Sequence, residues 1–213
     1  MSANEDLRAA IYSGAEVSEI QQCLDAGADP NLRMHNGWTP LLEAETFEVA
    51  RLLLERGADA SAEDDFGRGV FHSLAHTQTP HELAHLFRCT KARLEGRDCD
   101  GSTPLLHALS SSQGHAAAPL ALLSIGADAF ALDAQGNNAL HCWATGRARI
   151  EVGERLLALG VDPCACNRLG QTVGDMLDDQ QHEGREFIRA FIDREELSHA
   201  TVETCLPSRV RRI

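Results

Sequence analysis

The stretch Asn36-Gly37-Trp38-Thr39-Pro40-Leu41-Leu42, written NGWTPLL, comes back four times along a chain of 213 residues. Its counterparts are FGRGVFH at 66–72, DGSTPLL at 100–106, QGNNALH at 135–141 and LGQTVGD at 169–175. Their glycines, Gly37, Gly67, Gly101, Gly136 and Gly170, step by 30, 34, 35 and 34 residues. A second ladder interleaves with the first: Gly27-Ala28-Asp29, Gly57-Ala58-Asp59, Gly126-Ala127-Asp128 and the variant Gly160-Val161-Asp162. Self-similarity at a fixed period near 33 means stacked units, because one such unit cannot bury its own apolar face.

Each unit makes local sense. Thr39-Pro40 and Thr103-Pro104 put a capping hydroxyl before a proline at the first helical position, which starts a short helix. EVARLLLERG at 48–57 and IEVGERLLALG at 150–160 then read as a second helix. In the former, Val49, Leu52 and Leu53 share one face, and Gly57 stands where a left-handed C-cap belongs. The glycine-bearing segments between units, such as 60–68, read as tight hairpin-like turns.

Two registered ladders carrying T-P-L-H at this period resemble the ankyrin-repeat family over roughly residues 5 to 192. The resemblance implies an all-α solenoid of helix-turn-helix units joined by hairpin-like turns. Six units are expected, at about 5–32, 33–62, 63–97, 98–132, 133–166 and 167–205, followed by a short basic tail at 206–213. The first and last read as caps. The second is three residues short between its helices, and in the third Gly69-Val70-Phe71-His72 replaces T-P-L-H. His72 and His141 align with the motif histidine, which the resemblance implies ties neighbouring units together.

Composition narrows the function. The apolar fraction of 43% with 24% charged residues suits a folded chain, and 5% aromatics favours Leu/Ala helices over sandwiches or propellers. A net charge of −13 repels phosphate backbones, so no nucleic-acid partner is expected. No apolar run approaches a membrane span, so no membrane partner is expected either. Seven cysteines and the start MSANEDLRAA point to a reducing cytoplasm. Arginine-rich, nearly lysine-free usage points to a bacterial source, and delivery into a host cytosol would suit an effector.

Chemistry-bearing motifs are weak. His81-Glu82-Leu83-Ala84-His85 matches H-E-x-x-H, the pattern of a zinc hydrolase. Leu83, Leu86 and Phe87 should form that helix's buried face, however, leaving His81 and His85 on an outer surface. Arg88 and Lys91 also stand where an extended zinc motif needs Gly and His. Cys164-Ala165-Cys166 reads as a pair of small buried residues. There is no phosphate-binding loop and no serine elbow, so neither a cofactor nor catalysis is expected.

The expectation is a non-catalytic, monomeric module that binds one protein on its concave face as adaptor, regulator or inhibitor, for instance an immunity protein. The partner surface is expected to be locally basic, opposite Asp65 and Asp100. The resemblance carries binding over to positions around the turn glycines: His35, Asn36 and Trp38; Asp65, Phe66 and Arg68; Cys99, Asp100 and Ser102; Gln135 and Asn137; Arg168 and Gln171. Thr46, His76, Ser110 and Thr145 are added from the ends of first helices. Trp38 and Phe66, two of few aromatics on adjacent turns, are read either as interface anchors or as filling packing defects of the degenerate third unit. The degenerate third unit should be the weakest interface, so amides in 63–97 should exchange with deuterium before the rest of the array, and uniform protection would refute this.

Overall fold

Two rows of helices run side by side in a computed structural model, which describes residues 2–74, 80–90, 92–111, 117–146, 149–177 and 182–205. Helices of the first row are α1 (Ala3–Tyr12), α4 (Val70–Leu74), α6 (Pro104–Ser110), α8 (Ala139–Thr145) and α10 (Val173–Met176). Those of the second row are α2 (Val17–Asp25), α3 (Phe47–Glu55), α5 (Pro80–Cys89), α7 (Ala117–Ser124), α9 (Ile150–Ala158) and α11 (His182–Cys205). Among the described residues all regular structure is helical. First helices stack α4 on α6, α6 on α8 and α8 on α10, and second helices stack α5 on α7, α7 on α9 and α9 on α11.

Polar residues at the helix starts set the elements. Thr103 Oγ1 accepts from Leu106 N at 3.4 Å ahead of Pro104, and Asn138 Oδ1 accepts from the amides of Leu140 and His141 at 3.0 Å each. Behind these caps Leu105, Leu106, Ala108, Leu140 and Ala144 are buried between the rows. Trp143 is buried too: its indole N–H donates to Arg149 O at 2.8 Å, and Gly153 leaves the ring its space. Gly27, Gly57, Gly126 and Gly160 follow the second helices at φ of 90 to 97°, the left-handed C-cap conformation that glycine adopts without strain.

The turns are built on one repeated side chain. Asp64 Oδ1 accepts from the amides of Phe66 and Arg68, Asp98 Oδ1 from those of Asp100 and Ser102, and Asp133 Oδ1 from those of Gln135 and Asn137. Asn167 Oδ1 does the same for Leu169 and Gln171. Each turn also bonds the next: Asp65 N donates to Asn36 O, Cys99 N to Phe66 O, Ala134 N to Asp100 O and Arg168 N to Gln135 O, at 2.7 to 2.9 Å. The turn glycines permit that approach, since a Cβ on Gly101 would lie 2.9 Å from Ala134 N.

Two units depart from the pattern. In the second, the T-P-L-L segment makes a single turn over 39–44, closed by Leu42 N and Glu43 N on Thr39 O, and Thr46 already caps α3 through Val49 N. Because that turn closes on the Thr39 carbonyl, the buried Thr39 hydroxyl has no partner among the described residues. In the last unit the second helix, expected at 185–197, extends over His182–Cys205. The basic tail at 206–213 lies outside the described residues.

The motif histidines join units: His72 Nε2 donates to Ser102 O at 3.1 Å, and His141 Nε2 donates to Gln171 O at 2.9 Å. His72 Nδ1 accepts from Gly69 N at 3.1 Å, so the ring is held neutral. Burial pushes its pKa below the ordinary 6.5. The unfolded chain therefore binds the proton first, and stability is full above pH 6.5 and falls as pH drops through the folded value. Thermal unfolding followed between about pH 7 and 5.5 should show this loss, with a smaller one in His72→Gln; equal pH profiles would refute the assignment.

Candidate functional site

One position, four residues after the turn acid, collects the site. In the later units the side chain here serves the turn: Arg68 Nε and Nη2 each lie 2.8 Å from Asp64 Oδ2, and Asn137 Nδ2 donates to Asp133 Oδ2 at 2.8 Å. In the second unit the acid is replaced by Met34, so the residue at this position, Trp38, has no turn oxygen to serve. It lies against the corresponding residue of the next unit instead, with the Arg68 guanidinium carbon 4.9 Å from the Trp38 ring centroid. The same carbon is 5.0 Å from the Phe66 ring. A guanidinium thus sits against two aromatic rings while Asp64, 1% exposed at its side chain, holds its edge.

Behind this stack opens a cleft of about 210 Å³ where the turns meet the first helices. Trp38, Leu42, Glu43, Ala44 and Glu45 line it from the second unit, Arg68, His72 and Ser73 from the third and His107 from the fourth. The cleft borders the segment that is a single turn in place of a full helix. His107 lies edge-to-face with His72 at 5.8 Å, and its Nδ1 is 3.6 Å from Asp98 Oδ2. Burial first, then His72, pushes the His107 pKa down. Burial and then the Glu45 charge push the Glu43 carboxyl up.

The ankyrin-repeat family model matches residues 36–65, the segment that contains Trp38, the single turn and α3. Mouse NF-kappa-B inhibitor delta is 37% identical over 107 residues, covering 48% of this chain and 31% of its own length. Human neurogenic locus notch homolog protein 2 is 34% identical over 116 residues, 54% of this chain and 4% of its own. A Microcebus murinus protein named for ankyrin repeat, SAM and basic leucine zipper domains is 38% identical over 65 residues, 29% of this chain and 13% of its own. The chain is an ankyrin-repeat protein. It spans under a third of the length of each of these relatives.

On this ankyrin array the sequence-derived positions separate into two groups. His35, Asn36, Asp65, Phe66, Cys99, Asp100, Gln135 and Arg168 are exposed on the turns, and Trp38 and Arg68 are half-buried in the stack. Others are engaged internally. Asn137 bonds Asp133 and receives Asn167 Nδ2 at 2.9 Å, and Gln171 and Ser102 supply the carbonyls that receive the two motif histidines. Thr46 caps α3, while the Ser110 and Thr145 hydroxyls donate back to carbonyls of their own helices. His76 lies outside the described residues. Asp65 and Asp100, the acids expected to face a basic partner, are exposed on the turns, with Arg33 3.9 Å from Asp65, and Glu43 and Glu45 line the cleft.

Three features escaped the sequence. Leu169 is 77% exposed at the last turn, in the same turn position that Phe66 occupies at 44% exposure. Its signal was present, an apolar residue directly before a turn glycine. Cys164 and Cys166 are exposed, against the expectation of buried residues, because they lie on the link between units and not on a helix face. His85 is half-buried edge-to-face against Phe47 of α3 at 5.5 Å, so it does not stand on an open outer surface. The His81 side chain lies outside the described residues, and among these no group of three metal-binding side chains forms.

Arg68→Ala removes the cation from a buried carboxylate and the support from two rings. Discounted for the partial exposure of Arg68, the loss should be about 2 kcal/mol, or roughly 4–8 °C in Tm. Calorimetry checks this, and Arg68→Lys should recover only part of it because an ammonium lacks the fork.

Proposed function

We propose that this ankyrin array is a non-catalytic protein-interaction module. It holds one polypeptide partner on the concave face, where the turns meet the first helices, and acts as an adaptor, regulator or inhibitor. The observation that carries this reading is the Trp38–Arg68–Phe66 stack beside the cleft. Aromatic rings and a guanidinium already held in place lose little freedom when a partner covers them, and such residues dominate interface energies. The exposed Phe66 and Leu169, at equivalent turn positions three units apart, supply a second apolar anchor for a segment lying along the turns.

The mouse relative is named as an inhibitor, and carried to this chain that supports regulation by occupancy. No helix among the described residues is long and apolar enough to cross a membrane.

The test is capture of partners from an extract of the source cell, with wild type compared with Trp38→Ala/Phe66→Ala and with Phe130→Ser, which lies on the link after α7. Loss of two anchors should weaken binding about thirtyfold or more, while Phe130→Ser should retain it. Unchanged recovery with the double variant, or loss with Phe130→Ser alone, would overturn the reading.

A further inference from the structure

The cleft behind Trp38 has a charge imbalance that its own residues leave standing. Its one arginine, Arg68, is paired with Asp64, with Nε and Nη2 each 2.8 Å from Oδ2, and its charge also favours the Glu43 carboxylate across the cleft. Burial pushes the pKa of His72 and of His107 down, leaving both rings uncharged at neutral pH. The anions remain. Glu43 and Glu45 are among the residues that line the cleft, and among the described residues neither carboxylate makes a hydrogen bond or an ion pair. Glu43 is half-buried, and its carboxyl is held above the usual range by burial and then by Glu45, against a smaller lowering by the Arg68 charge.

Geometry fits the same occupant. About 210 Å³ is the space of roughly seven waters, enough for an extended side chain of four or five heavy atoms beyond Cβ. Trp38, Leu42 and Ala44 line the same cleft, an apolar lining for an alkyl stem. Glu45 is accommodated against the first unit by Gly14, where a Cβ would lie 2.9 Å from Glu45 Oε2. An anionic group would meet two carboxylates, the half-buried one of Glu43 and the exposed one of Glu45. An apolar one would bury them without a counter-charge, which is costly. A cation gains from both carboxylates and from the aromatic ring.

We propose that this cleft takes the side chain of an arginine or lysine of the partner polypeptide, its cationic head at Glu43 and Glu45 and its stem against Trp38. The inference rests on the interaction reading above and names the partner chemistry for that surface. It moves the basic contact from the turn tips into the notch beside the single turn of the second unit.

The probe is N-acetyl-arginine N-methylamide, titrated into the full chain and followed by NMR at the Trp38 indole N–H and the backbone amides of Glu43 to Glu45. Its uncharged citrulline analogue and N-acetyl-aspartate N-methylamide serve as comparisons. Saturable shifts with arginine, at least tenfold weaker with citrulline and absent with aspartate, are expected. Glu43→Gln/Glu45→Gln, near-isosteric changes that leave the remaining spectrum in place, should reduce the arginine response at least tenfold. Equal binding of citrulline, preference for aspartate, or an unchanged response in the glutamine variant would each overturn the proposal. If the probe fails while capture still depends on Trp38 and Phe66, the cation site falls alone. If the probe saturates while capture ignores those residues, the cation site stands and the interaction reading falls.

Discussion

A single oxygen holds each turn. The Oδ1 atoms of Asp64, Asp98, Asp133 and Asn167 each accept two backbone amides, which closes the turn and aims one amide at the carbonyl of the preceding turn. A carboxylate or amide satisfying amides at this density leaves little conformational freedom in the chain between helices. Register between units follows from these turn-to-turn bonds, and the helix rows then bury Leu and Ala faces that no unit could bury alone. At Gly37, Gly67, Gly101 and Gly136 glycine serves the same approach, since a Cβ there would crowd the next turn, whereas Gly170 has open space and is set by its φ of 74°.

The candidate site arises where this rule is broken. Met34 cannot accept hydrogen bonds as the acids do, so that turn keeps only the backbone bond the other turns also make, Met34 N on Trp38 O, with Asn36 at φ 57°. Trp38, released from serving a turn acid, covers the Arg68 guanidinium of the next unit. The same unit lacks a full first helix, and Glu43 and Glu45 come to border open space beside it. Two local departures in one unit, each small, produce both the aromatic stack and the cleft.

A similar economy governs the far edge of the array. Asn31 Oδ1 accepts from Asp59 N at 2.7 Å and Glu95 Oε1 accepts from Asp128 N at 2.9 Å, bridging successive units after their second helices. One unit further on, Phe130 occupies this position and is exposed, while Asn138 Nδ2 reaches Asp162 O at 3.1 Å. The bridge between units is kept, but it is made from a different residue.

The repeat period, the capped helix starts, the glycine positions and the bridging histidines were legible in sequence, because each depends on residues a few positions apart or on a recurring spacing. Trp38 and Phe66 were legible as unusual aromatics on neighbouring turns. What lay between them was not: Arg68 could not be read as their common contact, since that depends on how closely adjacent turns approach. Nor could Glu43 and Glu45 be read as the cleft's carboxylates, or Leu169 as exposed beside Phe66 in type. Local spacing determined the units and their order, and stacking distance, which only the packed array sets, decided which side chains meet and which charges stay unpaired.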